Sequence, residues 1–496
     1  MPEFLSISLS EQPPQTAQAL VFYADESGPL GPVGGAIWAR TGLDFARIAK
    51  ATGFSGRPGH MIDIAAPAGL DCERLVVLGR GEDGQAQTEA AWADRGGSLF
   101  AKLDGARIRD AAVILDEPGI APRQVAALAA GATLRSYRFD KYIKRGNGRV
   151  HDRLSLTIAA GAPKDIGAEL DQALAVATGT ILARDLVNEP ANLLGPEEMA
   201  QVAQGLSEIG VSVEVLTEKE MQKLGMGALL AVGRGSVRPP RLVVMQWNGG
   251  KKQQDPVAFV GKGIVFDTGG ISIKGAASME NMKGDMAGAA AIIGVMQALA
   301  SRKAKVNAIG ILALAENMPD GNAFRPGDII TAMSGETIEI ISTDAEGRLV
   351  LADALWYCRE RFKPQAMVDI ATLTGAILVA LGNDYAGVFT NTDSLAAGLQ
   401  QAGLATGEKV WHLPIGHAYD KLIESRFADI KNQGGRNGGA SIAAQFLSHF
   451  VGDVPWAHVD IAGTGFGVPS SETNSSWGTG FGVALFDRFV RDNYEG

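Results

Sequence analysis

Lys262 and Asp267 stand in and at the end of an apolar run, V-A-F-V-G-K-G-I-V-F-D-T-G-G, that holds no other charged residue. A lysine inside a buried strand is expensive. It either pairs with Asp267, five residues on, as a structural ion pair, or its desolvated amine loses its proton and becomes a metal ligand. Further on, Lys274 sits in a Gly-flanked loop, Asp285 opens a helix, and Ser342-Thr-Asp344-Ala-Glu346-Gly-Arg348 follows a β-like stretch at 337–341. Asp285 is explained equally well as a charge favoured at a helix amino terminus. In an extended segment Asp344 and Glu346 face the same side, because side chains alternate, and Arg348 extends that row if the extension persists. Carboxylates with few histidines at hand suit Mg, Mn or Zn. Four carboxylates and one amine can hold two such ions when some ligands bridge, an arrangement that activates water and stabilises a developing oxyanion. The six histidines, His60, His151, His412, His417, His449 and His458, form no HExxH or other tight ligand motif and read as structural.

The elements that must position these residues follow from hydrophobic periodicity. From residue 240 onward, apolar runs at 242–247, 257–266, 306–315, 366–373 and 456–461 alternate with helical patterns. This predicts an α/β domain with a mostly parallel central sheet flanked by helices, its strands covered on both faces. The first 160 or so residues carry shorter runs at 19–23, 75–78 and 111–115 around an Ala-rich helix at 89–103, which predicts a smaller α/β unit. A helix over 166–187, stopped near Asn188 by Pro190, links the two, so the expected domains are 1–165 and 166–496. A further helix is expected from Pro196 to just before Gly210. The apolar stretch 286–300 has 15 residues, short of the roughly 20 needed to span a bilayer, and reads as a core helix that begins close to Asp285.

The chain has 496 residues, several times the ~150-residue domain prior. Its 45 Lys+Arg against 55 Asp+Glu give a net charge of -10, which implies no global attraction to nucleic acid or anionic lipid. Cys72 and Cys358 lie far apart and support neither a disulfide framework nor a thiolate zinc site. With a start, MPEFLSISLSEQ, unlike a secretory signal, this points to the cytoplasm and away from a membrane. Gly79-Arg-Gly-Glu-Asp-Gly84 matches GxGxxG, but Glu82 and Asp83 would repel a pyrophosphate. No phosphate-loop motif and no GxSxG elbow occurs. Basic residues Arg135, Arg138, Lys141, Lys144, Arg145 and Arg149, interleaved with Tyr137, Phe139 and Tyr142, can track nucleic-acid phosphates or form a solvated contact face. The acidic balance of the whole chain favours the second reading.

The segments V-G-K-G-I-V-F-D-T-G-G, M-K-G-D-M-A-G-A-A-A, S-T-D-A-E-G-R-L and A-T-L-T-G-A closely resemble the M17-type leucyl aminopeptidases, and the resemblance covers about Asp185 to the end. The amino-terminal region matches mainly at Leu134-Arg-Ser-Tyr-Arg-Phe-Asp-Lys141. The resemblance implies a dimetal aminopeptidase acting on peptides with a free amino terminus, leucine and other apolar residues favoured, assembled as a homohexamer. It implies that Lys262, Asp267, Asp285, Asp344 and Glu346 bind two divalent ions, Mn or Zn with Mg as a further choice. Asp267 and Glu346 would bridge them, and Asp344 would add its backbone carbonyl. By the same resemblance Lys274 polarises the scissile carbonyl and stabilises the oxyanion. Arg348 would hold a bicarbonate that takes the proton from the attacking water, and Met282, Thr372, Leu373 and Gly375 would lie near the substrate. Some bacterial members of this family also bind DNA. Two departures stand out: Ser342 replaces the usual Asn before T-D-A-E, and Thr268 the usual Ser after the strand Asp. Neither is a ligand or catalytic position, and local hydrogen bonding around Asp344 is where the first would act. The competing readings are a dimetal hydrolase of another bond, such as a phosphoester, and a DNA-binding or assembly protein.

Overall fold

The computed structural model describes residues 4–14, 16–81, 88–144 and 153–495. Two compact units result, Met1–Thr178 with Ser470–Ser476, and Gly179–Pro469 with Trp477–Gly496; the division falls within the helix Pro163–Asn188.

The first unit is built on a seven-stranded sheet in the order Leu5–Ser10, Leu154–Ala160, Asp110–Leu115, Ala19–Asp25, Arg74–Gly79, Met61–Ala65, with Gly28–Pro29 paired to the fourth of these. Its apolar runs are buried on both faces, as in Arg74–Gly79 and Asp110–Leu115, because Glu89–Gly105 and Pro122–Ser136 cover one side and two short helices the other. Of the GxGxxG match, residues 82–84 lie outside the described residues. Gly79 has a packing reason, since a Cβ there would stand 2.1 Å from the Arg57 carbonyl oxygen. In the basic stretch, Arg138 pairs with Asp104 at 2.6 Å and Arg135 donates to the Ser471 carbonyl at 2.6 Å. Arg145 and Arg149, like His151, lie outside the described residues.

The second unit carries an eight-stranded sheet in the order Val410–His412, Ala386–Thr390, Trp456–Asp460, Ala366–Ala371, Val257–Asp267, Asn307–Asn317, Arg241–Asn248, Ser212–Leu216. The four strands from Trp456–Asp460 to Asn307–Asn317 are mutually parallel. Arg241–Asn248 and Ser212–Leu216 continue the sheet antiparallel, and Ala386–Thr390 runs antiparallel to Trp456–Asp460. A three-stranded sheet, Ile329–Thr331, Thr337–Glu339 and Ile430–Lys431, stands apart.

The core helix runs Ala287–Ser301, 15 residues, as the sequence reading expects; counted together with the 3-10 turn Met279–Gly284 before it, the run is 23 residues and apolar enough to cross a bilayer, but 89% of its apolar window is buried inside the protein. Local detail corrects the sequence reading farther on. The segment after Thr337–Glu339 is not extended. Residues 342–346 turn, and Gly347–Phe362 is a helix with Glu346 at its N-cap, so Arg348 lies in a first helical turn and not in a β row.

That helix is tied down from inside. Asp353 is fully buried, and its two carboxylate oxygens accept from the Leu229 backbone N–H at 2.9 Å and the Met333 N–H at 2.7 Å. Burial pushes its carboxyl up to about 7, against which these donors work. Asp353→Ala leaves both amides unpaired in the core and is expected to cost about 2–4 kcal/mol. Urea unfolding at neutral pH checks this, and an unchanged midpoint would remove Asp353 as the anchor.

Candidate metal centre

The site forms where the parallel strands of the second unit end. Asp267 closes Val257–Asp267 beside Asn317, the last residue of its neighbour, and Ala371 pairs with Asp460 on the other side. Carboxyl ends of parallel strands are open to loops, so side chains from several strands converge there. Lys262 lies farther back in its strand and reaches forward past Gly347, where a Cβ would meet its Cε at 2.6 Å. A glycine at 347 is therefore a condition for the lysine's path.

Two ammonium groups organise the carboxylates. Lys262 Nζ lies 2.9 Å from Asp285 Oδ2, 2.9 Å from Glu346 Oε1 and 2.9 Å from the Thr372 carbonyl oxygen, and its side chain is 3% exposed. Its ion pairs are thus with Asp285 and Glu346, so of the two readings of this lysine the structural pair with Asp267 is not formed. Asp267 pairs instead with Lys274, at 2.8 Å, and Lys274 also contacts Asp344. Burial alone would lower both lysine pKa values, but the surrounding carboxylates outweigh it and hold both amines protonated. Glu346 and Asp285 are pushed well above the ordinary carboxylate range, first by burial and then by other carboxylates, and Asp344 is raised by burial as well. The cluster is short of positive charge.

The donor set fits divalent ions. Oxygens of Asp267, Asp344 and Glu346 lie within 4.8 Å of one another, and Glu346 Oε2 is buried with no hydrogen-bond partner. A buried carboxylate oxygen without a donor is costly, and a cation among these oxygens removes that cost and the mutual repulsion together. Asp344 and Glu346 do converge, but through the turn and helix start rather than through strand alternation. Asp285, two residues before Ala287–Ser301, is turned inward and accepts from Thr372 Oγ1 at 2.7 Å.

A cavity of about 680 Å³ opens beside this cluster, lined among others by Asp344, Arg348, Leu373, Gly375 and Val379. Arg348 donates to the Asn432 carbonyl at 2.8 Å and keeps a buried Nε with no partner; burial pushes its pKa down to about 10. Met282 lies in the short 3-10 helix Met279–Gly284, and neither it nor Thr372 lines the cavity. The two sequence departures keep hydrogen bonds: Thr268 Oγ1 donates to the Asn317 carbonyl at 2.9 Å, and Ser342 Oγ accepts from the Asp344 N–H at 3.2 Å.

Sequence reasoning missed the residues that hold this cluster from behind. Asn317 is fully buried and donates to Asp267 Oδ1 at 2.8 Å and to the Thr343 carbonyl at 3.0 Å. Asn432, from a distant segment, accepts from the Ile341 N–H at 2.8 Å and donates to the Ser342 carbonyl at 2.6 Å, which shapes the turn that carries Asp344. Asp460 accepts from Leu373 N–H at 3.1 Å and Thr374 Oγ1 at 2.6 Å, orienting the loop after Ala366–Ala371. The available signal was a polar residue at the end of an apolar run, which Asn317 and Asp460 share with Asp267.

A mixed, centrally parallel sheet with a lysine–carboxylate cluster at its strand ends, in a chain that also carries a smaller α/β domain, defines a two-domain α/β protein with a candidate metal centre. The sequence matches the catalytic domain of the cytosol aminopeptidase family over residues 181–486 and that family's N-terminal domain over 20–145. A probable cytosol aminopeptidase of Chelativorans sp. is 57% identical over 486 residues, 96% of each chain, and one of Brucella suis biovar 1 is 54% identical over 496 residues, 99% of each. Among solved structures, a mutant tomato leucine aminopeptidase superimposes with a TM-score of 0.88 at 32% identity, covering 99% of this chain and 97% of that one. The bottromycin maturation enzyme BotP in complex with Mn gives 0.83 at 32% identity, over 96% and 99%. The chain belongs to the cytosol aminopeptidase family, and it is a metallo-aminopeptidase acting on peptides.

Asn317 contacts the carboxylate cluster without offering it a charge. Asn317→Ala is expected to weaken metal retention by about 10- to 100-fold, as loss of a group orienting a ligand does. Dialysis against buffered Mn, followed by metal analysis, measures it, and native retention would show that Asp267 needs no such support.

Proposed function

We propose that the cleft of the second unit removes the amino-terminal residue of peptides, leucine and other apolar residues preferred, with two divalent ions held by Asp267, Asp285, Asp344 and Glu346, and by Lys262 once its amine has given up its proton in favour of the ion. The observation that carries this is the cluster itself: carboxylates raised by burial and mutual repulsion, with the orphaned Glu346 Oε2 among them. Mn or Zn, with Mg as a further choice, suits such a donor set. Bound there, the ions supply a water of lowered pKa, a Lewis acid for the scissile carbonyl and a coordination position for a neutral α-amine.

The chain's own residues do the rest. Lys274, held at the cluster's edge by Asp267 and Asp344, presents a protonated amine to the carbonyl oxygen and stabilises the oxyanion as charge develops. Arg348 lines the cavity with an unpartnered Nε, which suits it to hold a bicarbonate that receives the proton of the attacking water. Leu373 and Gly375 border the same cavity and contact the substrate; for Met282 and Thr372, which do not line it, a place near the substrate rests on the family resemblance. We place the protein in the cytoplasm and infer a homohexamer; light scattering that returns a single-subunit mass overturns the assembly.

Leucyl anilide should be cleaved by the Mn- or Zn-loaded protein, lose cleavage on chelation, and regain it on metal addition. Only a deprotonated amine offers a lone pair, so kcat/KM should rise with pH through about 7.7 to 8.0, the range of a free α-amino group. N-acetyl-leucyl anilide should be inert. Equal kcat/KM for the two substrates sinks the amine-directed reading, and cleavage of an aryl phosphate in their place would establish the phosphoester alternative.

Variants separate ligands from catalytic groups. Asp344→Ala and Glu346→Ala should lose bound metal along with turnover, whereas Lys274→Ala and Arg348→Ala should keep metal and lose kcat by about 100-fold or more. Full metal occupancy in the first pair, or native kcat in the second, removes the corresponding role.

A further inference from the structure

The first unit contains a cavity of about 280 Å³, beside the end of Arg74–Gly79 and the start of Glu89–Gly105, that the peptidase reaction does not use. Its volume lies at the small end of ligand pockets, which suits a molecule of a few heavy atoms. One part of its wall offers donors. Arg95 stacks over Trp92, with 4.4 Å from guanidinium carbon to ring centroid, and lies 5.6 Å from that of Tyr23. Its Nη2 donates to the Arg80 carbonyl at 3.0 Å, while its Nη1 is buried with no partner. The Tyr23 hydroxyl, on a residue 4% exposed, is likewise buried and unpaired. Buried donors in this state are rare and unfavourable.

Another part offers only negative charge. Asp94 and Glu472, both exposed, line the rim of the same cavity, and among the described residues neither side chain has a hydrogen bond or an ion pair within the protein. Glu472 belongs to the short segment Ser470–Ser476, which packs with this unit; a Cβ on Gly97 would stand 2.1 Å from the Glu472 carbonyl oxygen. Loss of hydration against the cavity wall, and after it the neighbouring Glu472 carboxylate, push the Asp94 carboxyl up to about 6. Asp94 and Arg95 are consecutive on a helix, so their side chains diverge and do not neutralise each other. Pro58 and Leu78 add an apolar portion of wall.

We propose that this cavity is a binding site for a free α-amino acid, with Arg95 and Tyr23 taking its carboxylate, Asp94 and Glu472 its ammonium, and Pro58 and Leu78 its side chain. An α-amino acid carries both charges on one carbon, which is what unpaired donors and unpaired acceptors in one small cavity require. It is also what an aminopeptidase releases, so occupancy of this site would report product accumulation. The site goes beyond the cleft chemistry and does not depend on how the metals act.

Equilibrium dialysis of labelled L-leucine against the metal-loaded native protein tests it. Two sites per subunit are expected, one in the cleft and one here, and chelation should remove only the first. Asp94→Asn combined with Glu472→Gln should weaken the second site by about 10- to 100-fold, as loss of charge-assisted hydrogen bonds does, with kcat on leucyl anilide unchanged. Arg95→Gln should act likewise; because Arg95 is partly buried, the rim double variant carries the test if that chain fails to fold. Leucinol, lacking the carboxylate, and isocaproate, lacking the ammonium, should not displace leucine from it. Absence of any chelation-resistant leucine site in the native protein, native affinity at that site in the rim variant, or displacement by either one-charge analogue overturns the proposal.

Discussion

Charge neutralisation out of reach of water is the constraint on which the catalytic unit is built. Lys262 is buried to 3% exposure inside a sheet strand, and such a cation persists only if anions reach it. Asp285 comes from the loop before a core helix, Glu346 from a helix N-cap and the Thr372 carbonyl from another strand end. One ammonium group thus ties four chain segments together. Because Asp267 and Asp344 gather around a second ammonium, Lys274, two half-neutralised carboxylate groups end up side by side.

That surplus of negative charge links architecture to chemistry. The carboxylates are pushed upward, so at neutral pH they gain by exchanging protons or lysine contacts for multivalent cations. The scaffold around them is rigid for separate reasons. Asn317 and Asn432 hold Asp267 and the 342–346 turn by paired amide contacts, and Asp353 anchors the helix whose first turn carries Arg348. A site that must keep several like charges within a few ångströms needs such supports, because repulsion otherwise spreads the ligands apart.

The two units divide the work differently. The second gathers the residues of its site at strand ends, while the core helix Ala287–Ser301 is almost wholly apolar and its sheet interior is apolar apart from Lys262 and the buried Asp369–His458 pair. The first has an apolar sheet core of its own, and its unpaired polar groups gather around Arg95. In both, the informative side chains are those whose hydrogen bonds or charges the chain itself leaves incomplete.

The order and type of the main elements were legible in the sequence, because strands covered on both faces are apolar almost throughout and helices show their own period. The charged residues interrupting those patterns, Lys262, Asp267, Asp285, Asp344 and Glu346, were legible for the same reason: each is costly where the pattern places it. Partnership was not legible. Lys262 turns to Asp285 and Glu346 rather than to Asp267, since Lys274 takes the Asp267 carboxylate and the true partners of Lys262 arrive from segments 23 and more residues away. The geometry at 342–348 also escaped, because a turn closed by Asn432 from a distant segment overrides the local preference for extension. Asn317, Asn432 and Asp460 are uncharged or ordinary in composition; the register of parallel strands in the large sheet brings Asn317 and Asp460 to the site, and the pairing of Ile430–Lys431 with Thr337–Glu339 in the small sheet brings Asn432.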